Sequence, residues 1–201
     1  MIAVITGDII NSESADTKVW ITSLKNLLST WGTSPQTWEI YRGDEFQIKC
    51  NINEVFSHAL AIKSLLKTQE NLDVRLAIGI GNENYSSEKI TESNGTAYIN
   101  SGRLLDDMKA NGYNMAVKTL NDSADRDLNI VLKWASKEFD RWSVATSEIV
   151  FEMLTSEEKT QENLAKKFNI SQSSVSQRLK RASFDLILET DQYFRKKISQ
   201  L

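Results

Sequence analysis

The sequence predicts an α+β fold, in which a mixed domain of strands and helices is followed by an all-α module. Segments typical of strands and helices alternate over residues 1–118 in the order β-α-β-β-α-β-α-β. Beyond residue 159, two short helical segments each follow a residue that caps helices well, Thr160 and Ser171. The chain is 40% hydrophobic and 25% charged, which is ordinary for a globular protein.

Hydrophobic periodicity assigns the elements of the first domain. Ile2–Ile5 is a short β-branched run that predicts a buried strand, which ends at Asp8. A turn at residues 11–14 precedes an amphipathic helix that Gly32 and Pro35 terminate. The remaining predicted elements are strands at residues 37–41, 46–50, 74–81 and 113–117, a helix capped by Asn53, and a helix from Thr96 to Lys109.

An acidic hairpin tip lies between the second and third predicted strands. The two strands meet around Gly43, where a tight connection favours a residue that tolerates positive φ. The carboxylates of Asp44 and Glu45 follow directly. Adjacent like charges repel unless solvent or a cation relieves them. A solvated acidic turn and a cation site are therefore both open interpretations of the tip.

The element order is the split β-α-β pattern of ferredoxin-like and palm folds. In such a sheet the first strand lies between the third and the fourth and is antiparallel to the third. Neighbouring strands are about 5 Å apart, so we expect Asp8, Asp44 and Glu45 to converge at one edge of the sheet. Hard divalent cations bind carboxylate oxygens, usually with phosphate oxygens. The topology therefore predicts a Mg²⁺ or Mn²⁺ site held by Asp8, Asp44 and Glu45.

Residues 1–118 resemble the nucleotidyl cyclase (GGDEF-type, palm-like) fold. Residues 42–46, Arg-Gly-Asp-Glu-Phe, are similar to the Gly-Gly-Asp-Glu-Phe hairpin of that family, and Asp8 matches its metal-binding aspartate at the end of the first strand. Residues 77–81 resemble its Ser-Ile-Gly-Ile-Ala strand, and residues 109–114 resemble its Lys-x-x-Gly-Arg-Asn segment. The resemblance implies a domain that binds a nucleotide together with a metal ion.

The cyclase resemblance also implies where the nucleotide binds. Lys109 matches the family's phosphate-binding lysine, whereas Tyr113 stands where that family has a phosphate-binding arginine. Arg42 replaces a glycine that leaves room for the nucleotide, so we expect the metal site to be kept and cyclisation to be poor. A helix N-terminus favours an anion, which indicates a phosphate cradle in the loop before the first helix. The predicted nucleotide- and phosphate-binding residues are Ile9, Asn11, Ser12, Arg42, Gly43, Arg103 and Lys109.

The C-terminal part has the spacing of a helix-turn-helix. Residues 119–145 form a predicted linker, in which a loop at 121–125 precedes an amphipathic packing helix. In the domain at residues 146–201, two capped helices are separated by a turn at Asn169 and Ile170. The predicted core of the helix pair is Leu164, Ala165, Phe168, Ile170, Val175 and Leu179.

The second helix of this pair presents polar and basic side chains outward. Gln, Ser and Arg side chains contact base edges and phosphates in helix-turn-helix proteins. Residues 161–201 contain eight Lys or Arg and four Asp or Glu, a net charge of +4, whereas the whole chain carries −3. This asymmetry predicts DNA binding, with a helical hairpin used for dimerisation as the alternative. The predicted DNA-binding residues are Gln172, Ser173, Ser174, Gln177, Arg178 and Arg181.

A second resemblance covers the whole arrangement. The opening Ile-Thr-Gly-Asp-Ile-Ile-Asn-Ser of residues 5–12, with Gly-Asp-Glu-Phe at residues 43–46 and a C-terminal helix-turn-helix, is similar to the SatD family. This resemblance implies the order of the two domains and no particular reaction.

Composition excludes several classes of protein. His58 is the only histidine and Cys50 the only cysteine, so a His-rich zinc site and an internal disulfide are excluded. We expect His58 to pack at the edge of a helical apolar stripe, which argues against a Ser-His-Asp triad. The first residues lack the basic region of a signal peptide, and no apolar run approaches the roughly 18 residues of a membrane span. We therefore expect a cytoplasmic protein with no membrane partner.

Together these features predict a DNA-binding regulator whose cyclase-like domain senses a nucleotide or its metal complex. DNA binding by one basic tail on an acidic body is expected to be weak, so we expect a homodimer with recognition helices about 34 Å apart. An active nucleotidyl cyclase or transferase is one alternative function. A degenerate palm kept as a dimerisation scaffold is the other.

Overall fold

A five-stranded mixed sheet organises the structure, a computed structural model that describes residues 1–201. β1 lies in the middle of the sheet, antiparallel to both β3 and β4, and β5 is parallel to β4. The predicted α+β class and the predicted position of the first strand between the third and the fourth are confirmed. The strands are β1 (Ile2–Ile10), β2 (Trp38–Tyr41), β3 (Glu45–Cys50), β4 (Asp73–Gly81) and β5 (Met115–Lys118), in the spatial order β2-β3-β1-β4-β5.

Eight α-helices pack on the sheet and on one another. Helix α2 packs on one face of the sheet with α1 beside it, while α3 covers β1, β4 and β5 on the other face. None of the eight combines the length and the apolar character that a membrane-crossing helix needs. The helices are α1 (Thr17–Ser29), α2 (Val55–Leu66), α3 (Thr96–Asn111), α4 (Asp122–Phe139), α5 (Val144–Thr155), α6 (Gln161–Phe168), α7 (Gln172–Arg181) and α8 (Phe184–Ile198).

Among the element boundaries that differ from the sequence prediction, two are helix starts. The residues predicted as a loop at 121–125 belong to the first turn of α4, because the Asn121 side chain accepts hydrogen bonds from the N–H groups of Ser123 and Ala124. Asn53, the predicted cap of α2, instead lies in a turn, where its N–H donates to the side chain of Asn51. Both differences come from Asn side chains, which stabilise turns and helix ends equally well.

Helix α2 is buried against the sheet on one side and against α5 and α8 on the other. Phe56 of α2 stacks on Phe194 of α8, with ring centroids 5.3 Å apart. One hydrophobic cluster runs without interruption from Ala3 in β1 to Ile198 at the end of α8. The predicted division at residues 118 and 145 stays a prediction, but the parts on either side of it share this core.

A lysine is fully buried inside that core. The ammonium of Lys63 in α2 lies 2.7 Å from Oδ1 of Asp73 in β4 and 2.6 Å from Oδ1 of Asp140 after α4. Lys67 adds a second ammonium 3.3 Å from Asp73. A buried charge is tolerated only when it is paired, so these contacts fix α2 relative to the start of β4 and the end of α4.

We expect Phe194→Ala to lower the free energy of unfolding by about 3–5 kcal/mol, because a buried aromatic side chain that packs between α8 and α2 is lost. Urea denaturation followed by tryptophan fluorescence and by far-UV circular dichroism measures the change. The control Leu188→Ala truncates a side chain of α8 that is 46% exposed and should stay within about 0.5 kcal/mol of wild type. If the two substitutions lowered the free energy of unfolding equally, the core shared by α8 and α2 would be contradicted.

Candidate functional site

One row of polar side chains crosses four strands on the sheet face that carries α3. Arg75 of β4 pairs with Asp8 of β1, Asp8 pairs with Glu45 of β3, and Glu45 pairs with Tyr41 of β2. Directly opposite residues point to the same face of a sheet. The chain therefore places Arg75, Asp8, Glu45 and Tyr41 side by side, and Asp8 shares its face with Glu45 as the sequence predicted.

Lys109 of α3 joins the two carboxylates of this row. Its Nζ lies 3.0 Å from Oδ1 of Asp8 and 2.8 Å from Oε1 of Glu45. On the other side of Asp8, the guanidinium of Arg75 donates to Oδ2 over 2.8 Å. Asp8 is buried and each of its oxygens has a cationic partner, which offsets the cost of removing its charge from water. We call Arg75, Asp8, Glu45, Lys109 and Tyr41 the charged row.

The charged row alters the acid–base behaviour of two of its members. Partial burial disfavours the Lys109 ammonium, but hydrogen bonds to Glu45 and Asp8 outweigh burial and raise its pKa above the ordinary value. Burial, followed by the negative charge of Glu45, raises the pKa of Tyr41 to about 12. At neutral pH Lys109 is therefore a firmly charged cation and Tyr41 a neutral phenol that can donate a hydrogen bond.

Asp44 differs from the other two predicted metal ligands. Its backbone carbonyl accepts a hydrogen bond from the N–H of Ile9 over 3.0 Å, which closes the hairpin onto β1. No three His, Cys, Asp or Glu side chains of the chain are grouped closely enough to hold a metal ion, so the predicted convergence of three carboxylates is not seen. Asp8 and Glu45 alone still suit Mg²⁺, which is commonly bound through one or two carboxylates together with phosphate oxygens and water. Metal binding itself stays a prediction.

Helix α3 covers β1, β4 and β5 on this face, and the 3₁₀ turn Ile90–Glu92 contacts β3 and β2. The close approach of α3 to β4 depends on Gly79, where a Cβ atom would lie 2.1 Å from the carbonyl oxygen of Ala97. Seven residues before Lys109, and so on nearly the same side of the helix, Gly102 has open space where a side chain would extend. We call this open space beside Gly102, on the side of α3 that carries Lys109, the α3 groove.

Buried and partly buried hydrogen bonds continue the polar character of this strand face away from the charged row. The hydroxyl of Thr6 donates to Oγ of Ser101 over 2.8 Å and accepts from the Gln47 amide over 3.2 Å. Gln47 pairs with Glu39 across β2 and β3, two positions from Glu45. Polar groups therefore line this strand face for several residues beyond the charged row.

The predicted phosphate cradle is wrong in its geometry. Ile9 is a buried core residue within β1, which continues to Ile10. The Asn11 amide donates to the carbonyl of Asn71, and Ser12 begins a single 3₁₀ turn rather than α1. Helix α1 starts only at Thr17, where the carboxylate of Asp16 occupies its N-terminus. A carboxylate at that position repels a phosphate instead of leaving N–H groups free for it.

Of the remaining predicted phosphate-binding residues, Arg42 and Gly43 lie in the hairpin beside the charged row and Arg103 lies on α3. Gly43 has a φ of 86°, as the turn prediction required, and Arg42 also adopts positive φ, at 53°. The Arg42 guanidinium is mainly exposed and 4.0 Å from the Glu45 carboxylate, so it borders the row without filling the groove. Arg103 is exposed on α3 and forms no ion pair. The backbone strain at Arg42 was not predicted from the sequence.

Sequence reasoning missed Arg75 and Tyr41. Both residues follow the period-two alternation that assigned their strands, and each lies on the strand directly beside one of the carboxylates. The sheet face on which each of them lies could be determined only once the strand register was known, because a slip of one residue moves a side chain to the opposite face.

In the C-terminal part, the two predicted caps are present. The side chains of Thr160 and Ser171 accept hydrogen bonds from the N–H groups of Asn163 and Ser174, at the starts of α6 and α7. The chain turns between these helices at Asn169, in the left-handed conformation with φ 51°. The helix pair therefore has the caps and the turn that its sequence predicted.

Four of the six predicted DNA-binding side chains are exposed on α7, and two are not. The hydroxyl of Ser174 lies 2.8 Å from that of Ser171, inside the cap of the helix. Arg178 faces α5 rather than solvent, where its guanidinium donates to the carbonyl of Ala145 over 3.3 Å. The outward position predicted for Arg178 is wrong, because α7 docks against α5 along the side that carries this residue. The four exposed residues are Gln172, Ser173, Gln177 and Arg181.

The fold and the site define an α+β protein with a charged row on one sheet face and a capped helix pair near its C-terminus. The chain belongs to the SatD family, whose sequence model matches residues 1–198. The match covers the sheet, the charged row and the helix pair together. Comparisons with curated proteins and with solved structures find no match.

We expect Asp8→Ala and Arg75→Ala to be coupled by about 0.5–3 kcal/mol in a double-mutant cycle, because each side chain is the other's buried partner. Chemical denaturation of the two single variants and the double variant measures the coupling. The control pair is Lys89 and Glu92, whose exposed charges lie 3.6 Å apart and should couple by only about 0–1 kcal/mol. Additive effects at Asp8 and Arg75 would show that the ion pair does not form in solution.

Proposed function

We propose that this protein is a DNA-binding regulator whose sheet domain binds a nucleotide together with a divalent cation. The observation that carries this proposal is the position of Lys109, whose ammonium lies between the Asp8 and Glu45 carboxylates beside the open α3 groove. Two carboxylates that share one ammonium can exchange it for another cation. The strand order, with β1 between β3 and β4, supports the palm-like arrangement that the cyclase resemblance implies.

The charged row contains the groups that a metal–phosphate complex needs. Asp8 and Glu45 would hold a divalent cation, which supplies positive charge to phosphate oxygens. Lys109 would then be free to donate to the same phosphates. Arg75 holds the Asp8 carboxylate in place through its hydrogen bond to Oδ2, and its Nε is buried without a hydrogen-bond partner. These contacts bind and orient phosphate groups without assigning a reaction to the site.

A continuous set of contacts leads from the charged row to the C-terminal helices, which supports a regulatory role. Arg75 is two residues from Asp73 in β4, and Asp73 pairs with Lys63 in α2. Helix α2 packs directly on α5, the helix against which α7 docks. A change in the row that displaced β4 would therefore be transmitted to α7 through packed elements. Only a measured coupling between nucleotide and DNA binding can establish this link.

Helix α7 is the proposed DNA-reading element. Its exposed residues Gln172, Ser173, Gln177 and Arg181 are of the types that contact base edges and phosphates. Arg178 does not belong to this surface in the proposal, since it holds α7 against α5. DNA binding also requires two copies of α7 about one DNA turn apart, ~34 Å, and hence a dimer.

An active nucleotidyl transferase is the second candidate. The direct pairing of Asp8 with Glu45 favours it, since two carboxylates in register can position a cation on a triphosphate. Lys109 is the only lysine of the charged row, and Tyr113, in place of the arginine in the cyclase motif, is occupied by a hydrogen bond to Asp107. A site with so few cations is better suited to binding a triphosphate than to stabilising its transition state.

We expect Gly102→Leu to abolish nucleotide binding, because the leucine side chain would fill the α3 groove. The fold should stay intact or α3 should become more stable, because leucine favours a helix by roughly 1 kcal/mol over glycine. Lys109→Met should weaken binding by about 1.5–3 kcal/mol through the loss of a charged hydrogen bond. Isothermal titration calorimetry with ATP and with GTP, each with Mg²⁺ or Mn²⁺, measures both effects. Lys25→Met, which removes an exposed lysine of α1, is the matched control.

The same titrations separate the competing functions. Metal-dependent conversion of ATP or GTP that is lost in Asp8→Asn would favour the transferase over the sensor. An absence of binding by wild-type protein under every metal condition would contradict both and leave the dimerisation scaffold.

We expect Arg181→Ala to weaken binding to all DNA sequences alike and to reduce the slope of affinity against salt by about 1, as the loss of one phosphate contact does. Gln177→Ala should instead weaken binding to the preferred sequence by about 1–3 kcal/mol and relax its specificity. Salt-dependent titration of full-length protein against genomic fragments measures both. Arg141→Ala, at an exposed arginine after α4, should change neither quantity. Binding that none of the three substitutions alters would exclude α7 as the reader.

A further inference from the structure

We propose that an apolar face formed by α4 and α8 is a self-complementary interface that binds a second copy of this chain. Three large apolar side chains on this face are largely exposed: Trp134 is 77%, Ile130 62% and Leu186 60% accessible. Between them runs a groove of about 420 Å³. Its apolar floor includes Val131, Ala135, Phe139 and Ile187. We call Ile130, Trp134, Leu186 and this groove the α4–α8 face.

The α4–α8 face is unusual for the surface of a monomer. Single exposed apolar residues are normal, but a groove with three adjacent ones marks an interaction site. Trp134 is the strongest anchor, since tryptophan is enriched among residues that dominate binding energy in interfaces. The adjacent groove offers an apolar pocket of the kind such anchors fill.

Charges on the two helices identify the partner. On the α4 side, Arg126 follows the same helical stripe as Ile130 and Trp134, and Lys137 extends it. On the α8 side, Asp185 and Glu189 flank Leu186. All four are exposed, and none forms an ion pair within the chain. The exposed charges without a partner are therefore basic on the α4 side and acidic on the α8 side, while Asp127 of α4 pairs with Lys197 of α8 and Glu138 of α4 lines the groove.

A second copy is the occupant that satisfies both sides at once. In a two-fold interface each residue i that contacts j is matched by j contacting i. A pairing that lays α8 of one protomer on α4 of its partner brings acidic and basic sides together twice. A purely acidic or purely basic partner would meet like charge along one side. Two-fold symmetry would give each Trp134 a groove on the other protomer. The pairing would also bury Ile130, Trp134 and Leu186 of both protomers.

The interface stands independently of nucleotide and DNA binding, since it concerns only how two copies associate. Helix α8 follows α7 after two residues, so pairing through α8 brings the two α7 helices of a dimer into a fixed relation.

Sedimentation equilibrium of the full-length protein tests the proposal first. Wild type should show twice the 22.8 kDa chain mass, and Trp134→Glu should raise the dimer dissociation constant by about 30-fold or more. The control Tyr85→Glu changes an aromatic residue that is also exposed, at 60%, and should leave the constant unchanged. Circular dichroism checks that all three proteins are folded. Wild type that stays monomeric up to its solubility limit, or a dimer that Trp134→Glu does not weaken, overturns the proposal.

Charge reversal tests the identity of the partner surface. Arg126→Glu/Lys137→Glu makes both sides of the face acidic, and Asp185→Lys/Glu189→Lys makes both sides basic. Each variant alone should be monomeric, whereas an equimolar mixture should form a one-to-one heterodimer. Native mass spectrometry distinguishes the two masses. Dimerisation of either variant by itself, or failure of the mixture to associate when wild type dimerises, would show that copies meet through another surface.

Discussion

The buried ammonium of Lys63 determines how α2, the start of β4 and the end of α4 meet. It lies within 2.7 Å of carboxylates from β4 and from the segment after α4, and no part of its side chain reaches solvent. Removing a charge from water costs several kcal/mol, and loss of one partner of a buried pair typically costs about 3–5 kcal/mol. Only an arrangement that keeps Asp73 and Asp140 against α2 is therefore stable. Lys67 strengthens the cluster by donating to the carbonyl of Asp140 over 3.0 Å.

The two faces of the sheet have opposite physical roles. The face toward α2 is apolar, and its side chains join one core with α5 and α8. The face toward α3 carries the charged row, where two carboxylates and two cations balance one another. A balanced row can exist without a ligand, and exchange of the Lys109 ammonium for another cation would alter the local charge without disturbing the core. The proposed ligand response would therefore involve only the α3 face, where small apolar clusters also pack against α3.

Short-range patterns allowed much of the fold to be predicted, and tertiary register explains what was missed. Alternation located β3 and β4, and Thr160 and Ser171 marked the starts of two helices because capping is a local interaction. His58 was expected to pack, and it stacks on Trp31 with ring centroids 3.9 Å apart. The contact of Arg75 with Asp8 and the inward position of Arg178 depend on which elements dock together. No local pattern encodes that choice, and the same limit explains why Asp44 was grouped with Asp8 and Glu45.

The double burial of α2 has a consequence for synthesis on the ribosome. Domains ordinarily fold as they emerge, the N-terminal one first. Here the outer side of α2 is covered by α5 and α8, so Phe56 and its neighbours remain exposed to solvent until α8 has left the ribosome. The sheet can form early, but its core is completed only when α8 has been made. A nascent chain released before Phe194 would display a bare apolar helix and be an early target for chaperones and proteases.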